Sequence, residues 1–441
     1  MNVLLLQSPL GYPYRPVFPH GLCVLATVLQ DSGHFVRVRD ANIDPDRGIH
    51  VQRLIEAFNP DVIGVSLRNI DTVRKNVPYL FHLPFMGFLT ELKRLAPVVP
   101  LIAGGPGFSI FPEELMRRCP ELDFGLYLEA EDSLPQLLDG MDRPETVPGV
   151  FYRSGGEVLF SGRREPPEVS KRPPVDRSFV RVSDYTEFPY DVGVETKRGC
   201  ALNCAYCSYP HLNGRQYRLR PPARIVDEIE DLVDRYGLRN FSFIDSVFDV
   251  PREHCTAICR ELIRRKVDVN WLAWFNGADF DEELFGLSYE AGCDFFCFSP
   301  DAYTPKALRG LKKHVRHKDI NRIYRIFRRQ RLPVKVTFNF FANSPETGLL
   351  DFLRTIAFCY RARFRLSHCL HRAGMDYIRI LPDTPLYETA LRKQVLDETV
   401  SLLPWTPEDF GRLFYHEPGS RLQDLLFKLV SGLQGRGYAR K

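Results

Sequence analysis

The sequence predicts a two-domain α/β protein, in which a parallel, doubly wound sheet is followed by a second series of alternating strands and helices. Its 441 residues exceed what one hydrophobic core usually supports. Short apolar runs alternate with helical segments along most of the chain. A charged stretch containing Pro166-Pro167 and Pro173-Pro174 divides the two series and is typical of a linker. Together these three observations predict the fold class.

The first 150 residues are expected to form the doubly wound sheet, because strands spaced by helices are typical of βαβ units. Strands are predicted at residues 3–6, 36–40, 62–66 and 100–103, and helices at 21–32 and 51–58. The last of these strands runs into Gly104-Gly105-Pro106-Gly107. Sheets of this class bind ligands at the carboxyl ends of their strands, so we expect a ligand site there.

The second series contains six predicted strands with helices between them. They lie at residues 192–197, 240–244, 269–274, 295–299, 334–341 and 377–381. We therefore divide the chain into a first domain (1–150), a linker (151–185), a second domain (186–390) and a C-terminal helical extension (391–441).

The most informative motif is formed by Cys200, Cys204 and Cys207, which follow the first strand of the second series. Three thiolates at this spacing can fold around one [4Fe–4S] cluster, and three protein ligands leave one of its four irons open to a small molecule. A zinc site or buried thiols are the alternatives. Zinc sites usually pair Cys-x-x-Cys knuckles and need a fourth Cys or His at knuckle spacing, which favours the cluster.

The run 197–207 resembles, residue for residue, the cluster loop of radical S-adenosylmethionine (SAM) enzymes, including the aromatic Tyr206 before the last cysteine. The resemblance implies a partial (β/α)6 TIM barrel over the second domain. It also implies a [4Fe–4S] cluster on the three cysteines and SAM chelated by the open iron, with Tyr206 beside the cofactor. Such enzymes cleave SAM reductively to a 5′-deoxyadenosyl radical, which abstracts hydrogen from the substrate.

The same resemblance places cofactor-binding residues at later strand ends. Asp245 and Ser246 follow the second strand, where Asp245 is expected to accept a hydrogen bond from the SAM ammonium group or, alternatively, to cap a helix. Ser299 and Asp301 follow the fourth strand and are similar to residues that contact the SAM ribose or carboxylate, although such a pair also starts helices. Arg379 on the sixth strand is expected to bind a carboxylate or hydroxyl-rich ligand, with a structural ion pair as the alternative.

Residues between the cluster motif and the second strand are expected to line the substrate chamber. Tyr217 and Arg218 are the candidate catalytic residues in this polar segment. On the third strand, Trp271, Trp274 and Phe275 are interpreted as barrel packing rather than as a stacking platform for a ligand.

The first domain resembles the cobalamin-binding-type domain that precedes many radical SAM barrels. Residues 18–26, 33–40, 61–71 and the Gly104-Gly105 turn extend the match to about residue 140. The resemblance implies a Rossmann-like fold and leaves bound cobalamin open, because the DxHxxG motif is absent here and often absent in related methylases. Where relatives carry Gly-Glu-Gly-Glu, this chain has side chains at glycine positions in the turn 125–131. We therefore expect a domain that shapes the site without cobalamin, with bound cobalamin as the alternative.

The amino-acid composition predicts the cellular compartment and the classes of partner. Hydrophobic residues make up 44% and charged residues 26%, as in ordinary globular proteins. Eleven scattered cysteines favour a reducing compartment, so we expect a cytoplasmic protein with no membrane span. A net charge of +4, with arginines at helical spacing, predicts no nucleic-acid partner. The resemblance implies a small-molecule substrate, an electron donor such as flavodoxin or ferredoxin, and a partner reductase.

The predicted reaction depends on two departures from cobalamin-linked methylases. The chain after Tyr387 is shorter than in many of them, and the turn 125–131 lacks their glycines. We therefore predict radical dehydration or deoxygenation of an aminosugar diol, as in the radical SAM diol dehydratase branch of aminoglycoside biosynthesis. A cobalamin-dependent radical SAM methylase is the main alternative, and a non-catalytic SAM- or cobalamin-binding sensor is the minor one.

Overall fold

Two large sheets, one for each predicted series of strands, form the framework of the protein. The computed structural model describes residues 1–11, 14–43, 47–188 and 190–435. Among the helices in these ranges, none is long and apolar enough to cross a membrane.

The N-terminal sheet has seven strands in the order β2-β1-β3-β4-β5-β6-β7, of which the first five are parallel and the last two antiparallel. The strands are β1 (Asn2–Gln7), β2 (Phe35–Asp40), β3 (Val62–Ser66), β4 (Leu101–Gly104), β5 (Phe124–Leu126), β6 (Val150–Ser154) and β7 (Glu157–Phe160). Its helices are α1 (His20–Asp31), α2 (Arg47–Phe58), α3 (His82–Leu95), α4 (Pro106–Ile110), α5 (Pro112–Arg118) and α6 (Ser133–Asp139). The strand β1, which lies between β2 and β3, is buried on both faces, as helices on both sides of a parallel sheet require.

The sequence predicts the segment 151–185 as a linker. The strand β6 begins at the edge of this segment, and β7 lies inside it. They pair with each other and with β5, so the first sheet continues past residue 150. The Pro-rich stretch begins only after this hairpin.

The second sheet has six parallel strands in sequential order and no pairing between its first and last strands, which makes it a partial barrel. With the short hairpin β9–β10, the strands of this region are β8 (Gly193–Val194), β9 (Lys197–Arg198), β10 (Arg218–Leu219), β11 (Asn240–Phe243), β12 (Asn270–Phe275), β13 (Cys293–Asp301), β14 (Lys335–Phe341) and β15 (Leu370–Asp376). The helices are α7 (Tyr209–Asn213), α8 (Pro222–Tyr236), α9 (Arg252–Arg265), α10 (Glu282–Glu290), α11 (Pro305–Gly310), α12 (His317–Arg329), α13 (Leu349–Arg365), α14 (Pro385–Arg392), α15 (Pro407–Arg412) and α16 (Arg421–Gly435). The two sheets confirm the predicted fold class.

The sixth barrel strand lies earlier than predicted. Leu370–Asp376 pairs with β14, whereas residues 377–381 follow the sheet and make only an isolated bridge between Arg379 and Phe414. The apolar side chains of Tyr377, Ile378 and Ile380 are buried in the main core. Their apolar side chains therefore produced a strand-like pattern in a segment that lies outside the sheet. The strand β15 was not predicted because several of its residues are polar.

Alternation along the barrel strands separates a core face from an inner face. On β12, Trp271 and Phe275 are fully buried, whereas Trp274 points to the opposite face and is 37% exposed. The packing interpretation therefore holds for Trp271 and Phe275 and is wrong for Trp274, which borders the barrel interior.

Candidate cofactor and active site

The three motif cysteines lie on the loop that follows β9. Gly199 precedes Cys200 with a φ of +87°, and a Cβ there would lie 1.9 Å from the Gln216 carbonyl oxygen, so only glycine fits. Cys200 and Cys204 are buried and Cys207 is half-buried, and all three are free thiols. The three thiols therefore lie on one short loop, and their fit to a cluster held by three ligands rests on their spacing in the sequence. Among the described residues, the side chains do not form a ready group of three or more metal ligands.

A buried lysine, Lys313, supports the cluster loop through hydrogen bonds. The Lys313 ammonium group donates to Asp301 Oδ2 at 2.7 Å and to the Ser299 carbonyl at 2.9 Å, and it lies 3.4 Å from the Tyr206 hydroxyl. Tyr206 itself donates to Asp301. Tyr206 and Asp301 thus hold the loop between Cys204 and Cys207, and their contact with SAM stays a prediction. No sequence pattern indicated Lys313, because it lies in a run of basic residues.

Asp245 is held by donors of the strand that leads into the cluster loop. Its carboxylate accepts from the Thr196 amide at 2.8 Å, from the Thr196 hydroxyl and from Lys197 Nζ at 3.0 Å. The side chain is buried among these donors, and its contact with SAM stays a prediction. It clamps the strand that leads into the cluster loop. The neighbouring Ser246 hydroxyl, by contrast, is buried without a partner in the described structure.

Unpaired polar atoms gather on the inner face of the barrel. Thr337 Oγ1 and Asn339 Oδ1, on the face of β14 opposite Phe338, are buried and have no partner among the described residues. Asn339 donates to the predicted residue Ser299, with 3.4 Å between Nδ2 and Oγ. A buried unpaired polar group costs about 1–3 kcal/mol unless a ligand or water satisfies it. The barrel interior therefore fits a polar cofactor such as SAM, and sequence reasoning missed Thr337 and Asn339.

Arg379 lies outside the barrel mouth. Its Nε is 3.2 Å from Asp71 Oδ2 in the first domain, and its other nitrogens donate to the carbonyls of Ile380 and Leu402. Both charged side chains are almost completely buried. The structural ion pair is thus the correct alternative for Arg379, because residue 379 follows the last strand instead of lying on it.

The two candidate catalytic residues differ in their surroundings. Arg218 forms a two-pronged ion pair with Glu129 and also donates to the carbonyls of Pro167 and Asn213, so its guanidinium group is fully used in joining the two domains. The Tyr217 hydroxyl is buried and has no hydrogen-bond partner among the described residues. Burial and the adjacent Cys200 thiol raise its pKa. Catalytic roles for Tyr217 and Arg218 stay predictions.

The turn 125–131 of the first domain is tied to the cluster strand by ion pairs. Arg198, two residues before Cys200, pairs with Glu129 at 2.8 Å, with Glu131 at 2.5 Å and with Glu195 at 2.8 Å. Burial raises the pKa of Glu195, but the Arg198 and Arg172 guanidinium groups outweigh it and hold that pKa well below its usual range. The glutamates of this turn thus hold the cluster loop against the first domain.

A cavity of about 240 Å³ lies at the carboxyl edge of β1, β3, β4 and β5. Its walls are mainly apolar, with Leu5, Leu22 and Ile102 among them, and the glycine turn after β4 forms one side. Gly105 has a φ of +97°, and a Cβ there would lie 2.7 Å from the Leu67 carbonyl oxygen. The ligand site expected at this edge of the sheet is therefore present as an open cavity.

The same cavity contains an unpaired histidine. Both ring nitrogens of His20, at the start of α1, are buried without a partner among the described residues. Burial lowers the pKa of His20 to about 3, so the imidazole is neutral at physiological pH. A neutral imidazole in an apolar wall offers one donor and one acceptor to a ligand.

The glycine-poor turn does not close this cavity. Leu128 has a φ of +66°, so its backbone takes the left-handed path that favours glycine, at a cost of order 1–3 kcal/mol. Leu128 and Glu129 line the cavity and also a second one of about 460 Å³, which reaches Cys204 and Cys207. The side chains of this turn therefore line an open cavity and do not fill it.

Two family models match the chain. The B12 binding domain model matches residues 12–138, and the Radical SAM superfamily model matches residues 194–355. An uncharacterized methyltransferase of Pyrococcus horikoshii is 24% identical over 71% of this chain and 68% of its own length. The tryptophan 2-C-methyltransferase of Streptomyces laurentii is 27% identical over 68% of this chain and 60% of its own length. The chain thus spans about two thirds of these relatives or less.

A solved structure has the same architecture. The radical SAM methyltransferase TsrM from Kitasatospora setae, with cobalamin and a [4Fe–4S] cluster bound, superposes with a TM-score of 0.77 at 23% identity. The match covers 89% of this chain and 75% of that one. At this identity the likeness shows a shared fold, which spans both domains.

Proposed function

We propose that this chain, whose residues 12–138 match the B12 binding domain model and whose residues 194–355 match the Radical SAM superfamily model, is a cobalamin-dependent radical SAM methyltransferase acting on a small molecule. The observation that carries the proposal is the open, His20-lined cavity of the first domain, which adjoins the cavity at the cluster cysteines. The named relatives support it, since they include methyltransferases. The predicted sugar dehydration has no support among them.

The residues present fit each of the three groups that this activity uses. Cys200, Cys204 and Cys207 fit a cluster, and the unpaired atoms on β14 fit SAM. The apolar cavity with its neutral imidazole fits part of a large ring cofactor that carries amide groups. When bound, these groups supply one-electron reduction, radical generation and a methyl carrier, while the protein supplies orientation and shielding from water.

The protein residues have distinct tasks in this proposal. Lys313 and Asp301 fix the cluster loop, and Asp245 fixes the strand that precedes it. Ser246, Thr337 and Asn339 orient SAM through hydrogen bonds inside the barrel. Trp274 lines the chamber with an aromatic surface that excludes water from the substrate. Precise positioning by such groups is the main contribution that a protein makes to cofactor chemistry.

The experiment that tests the proposal follows the methyl group. The full chain is reconstituted anaerobically with iron, sulfide and hydroxocobalamin and is given SAM that carries a deuterated methyl group. Tryptophan, the substrate named for one relative, is the first of a panel of small molecules. We expect a product in which one hydrogen of the substrate is replaced by a deuterated methyl group. This product and S-adenosylhomocysteine should form only when cobalamin is present. A product lighter by one water and no S-adenosylhomocysteine would contradict the proposal.

A matched variant controls for non-enzymatic transfer. Cys204→Ala removes one cluster ligand, so we expect it to lose both SAM cleavage and methyl transfer, because two thiolates cannot hold the cluster with one iron open. Cys369→Ala removes a buried thiol far from the loop in sequence and is expected to keep both.

A further inference from the structure

The outer side of helix α13 carries a stripe of large apolar side chains. Leu350, Leu353, Tyr360 and Phe364 are between 44% and 78% exposed. With the exposed Ala357 between them, they recur at intervals of three and four residues, so they lie along one side of the helix. A different side of α13 packs on the barrel core, and its residues are buried. The stripe therefore takes no part in the core.

Helix α16 lies beside α13 and continues this apolar surface. Leu422, Leu425 and Leu429 are between 55% and 60% exposed and are spaced as i, i+3 and i+7. The ring centroids of Phe352 on α13 and Phe427 on α16 are 6.3 Å apart, so the two helices are in contact. We call the exposed leucine and aromatic side chains of these two stripes the two-helix face.

The size of the two-helix face indicates a binding surface. Adjacent helices of 17 and 15 residues cover roughly 25 Å by 20 Å, or about 500 Å². An exposed apolar surface of several hundred Å² marks a site that binds a protein or a membrane.

Arginines border the α13 stripe. Arg354, Arg361 and Arg365 each directly follow a residue of the stripe in the sequence, and Arg363 directly precedes one. Successive residues of an α-helix are turned by about 100°, so these arginines lie beside the stripe, on both of its borders. All four are exposed. The two-helix face thus has an apolar centre and a cationic border.

The acidic residues of the two helices are held by other partners. Each helix has one, Asp351 on α13 and Asp424 on α16. Asp351 accepts from the Thr304 hydroxyl at 2.6 Å, and Asp424 Oδ2 lies 2.9 Å from His416 Nδ1. Both aspartates are half-buried. They do not neutralise the exposed arginines, so the border is positive.

A second copy of the chain does not suit this face. A two-fold axis that set α13 antiparallel to itself about Ala357 would place Arg354 of one copy opposite Arg361 of the other. A parallel arrangement would place each arginine opposite its counterpart. Like charges that oppose each other across an interface repel. The face is also smaller than the roughly 800 Å² that each partner contributes to a standard protein interface.

We infer that the two-helix face binds the surface of a lipid bilayer that contains anionic lipids. The leucine and aromatic side chains enter the boundary between headgroups and acyl chains, where amphipathic rings such as that of Tyr are favoured. The arginines bind the lipid phosphates, to which the guanidinium group is well matched. Surface binding of this kind needs no membrane-spanning helix, and it is independent of the reaction proposed for the barrel.

The test measures how much of the full chain binds to vesicles. The protein is mixed with vesicles of phosphatidylcholine, or of phosphatidylcholine and anionic phosphatidylglycerol in equal parts, and is floated through a density gradient. We expect the parent to float with the anionic vesicles, and less so as the salt concentration rises. Leu353→Ser/Phe364→Ser should bind at least about tenfold more weakly, because two large apolar side chains no longer enter the bilayer. Arg354→Gln/Arg365→Gln should bind anionic vesicles roughly tenfold more weakly, because each arginine near such a surface adds to the attraction.

A matched variant separates this face from other exposed apolar residues. Phe35 and Val98 of the first domain are also exposed, and Phe35→Ser/Val98→Ser is expected to float like the parent. All the substituted side chains are exposed, so each variant should unfold at the parent's denaturant concentration.

Three outcomes would overturn the inference. The parent fails to float with anionic vesicles, or floats equally with both kinds of vesicle. Leu353→Ser/Phe364→Ser binds anionic vesicles as tightly as the parent does. The parent is a dimer by analytical ultracentrifugation and Leu353→Ser/Phe364→Ser is a monomer, which would assign the face to a second copy.

Discussion

Lys313 illustrates at the residue scale how a buried charge can shape a cofactor loop. Its ammonium group and the Asp301 carboxylate are 2.7 Å apart, and both side chains are almost completely buried. Lys313→Met would leave Asp301 buried without its cation, so we expect a loss of about 3–5 kcal/mol in the free energy of unfolding. The iron content after reconstitution should fall as well, because the loop loses its support. Chemical denaturation and iron analysis measure both effects.

The exposed Lys318 provides the control for this prediction. Lys318→Met should keep the parent's free energy of unfolding to within about 0.5 kcal/mol. If Lys313→Met and Lys318→Met unfold at the same denaturant concentration and bind the same iron, the supporting role of Lys313 is wrong.

His20 provides a second prediction at this scale. Phenylalanine fills the space of the imidazole but offers no hydrogen bond, so His20→Phe should weaken hydroxocobalamin binding about tenfold, equivalent to one hydrogen bond of about 1.4 kcal/mol. Equilibrium binding measures the change without any turnover. The exposed His314→Phe variant should bind like the parent. Unchanged affinity in His20→Phe would show that the unpaired ring nitrogens do not meet the cofactor.

At the element scale, helix α8 is anchored by a buried carboxylate. Glu228 pairs with Arg177 at 2.6 Å and with Arg220 at 2.5 Å. Burial raises the pKa of Glu228, but the two guanidinium groups outweigh it and lower the pKa to about 2. Because the folded-state pKa is depressed, this carboxylate stabilises the fold above its unfolded pKa of about 4.3, and the stabilisation is lost as the pH falls towards about 2.

We therefore expect Glu228→Gln to unfold more easily than the parent at pH 7. Its free energy of unfolding should also depend less on pH between about 4.5 and 2.5 than the parent's does. Denaturation at several pH values measures both slopes. If the free energies of unfolding of the parent and of Glu228→Gln fall equally as the pH is lowered, the assignment of this pH dependence to Glu228 is wrong.

The local sequence pattern predicted most helices and strands, because neighbouring residues largely determine where these elements form. Short runs of apolar residues located β1, β3 and β4 within a residue or two, and the cysteine spacing located the cluster loop. β15 was missed because its polar residues hide the pattern, and only pairing with β14 identifies it as a strand. Local pattern cannot show pairing between distant segments.

The same limit explains which site residues could be predicted. The cysteine motif is contiguous in sequence, so its spacing is informative. The contacts of Asp245 with Thr196 and of Arg198 with Glu131 join residues far apart in the chain, and no local pattern in the sequence indicates them. Leu128 shows a further limit, since a non-glycine residue can keep a glycine-like backbone.

At the scale of the whole molecule, the two domains form one site. The N-terminal cavity and the cavity at the cluster cysteines share Leu128, Glu129, Leu212 and Asn213. Buried ion pairs at Arg198 and at Arg379 hold the domains together around these cavities. Removing one partner of such a pair is expected to loosen the domain contact, because it leaves a buried charge unpaired. The architecture thus places the N-terminal cavity beside the loop of the three motif cysteines.

The most direct test of this account is the cobalamin content of the reconstituted chain. The full-length protein is incubated anaerobically with iron, sulfide and excess hydroxocobalamin, passed through a desalting column and analysed for iron and for cobalamin absorbance. We predict one cobalamin and one [4Fe–4S] cluster per chain, with cobalamin retained even in the Cys204→Ala variant that lacks the cluster. A chain that holds its cluster but releases all cobalamin would contradict the central claim.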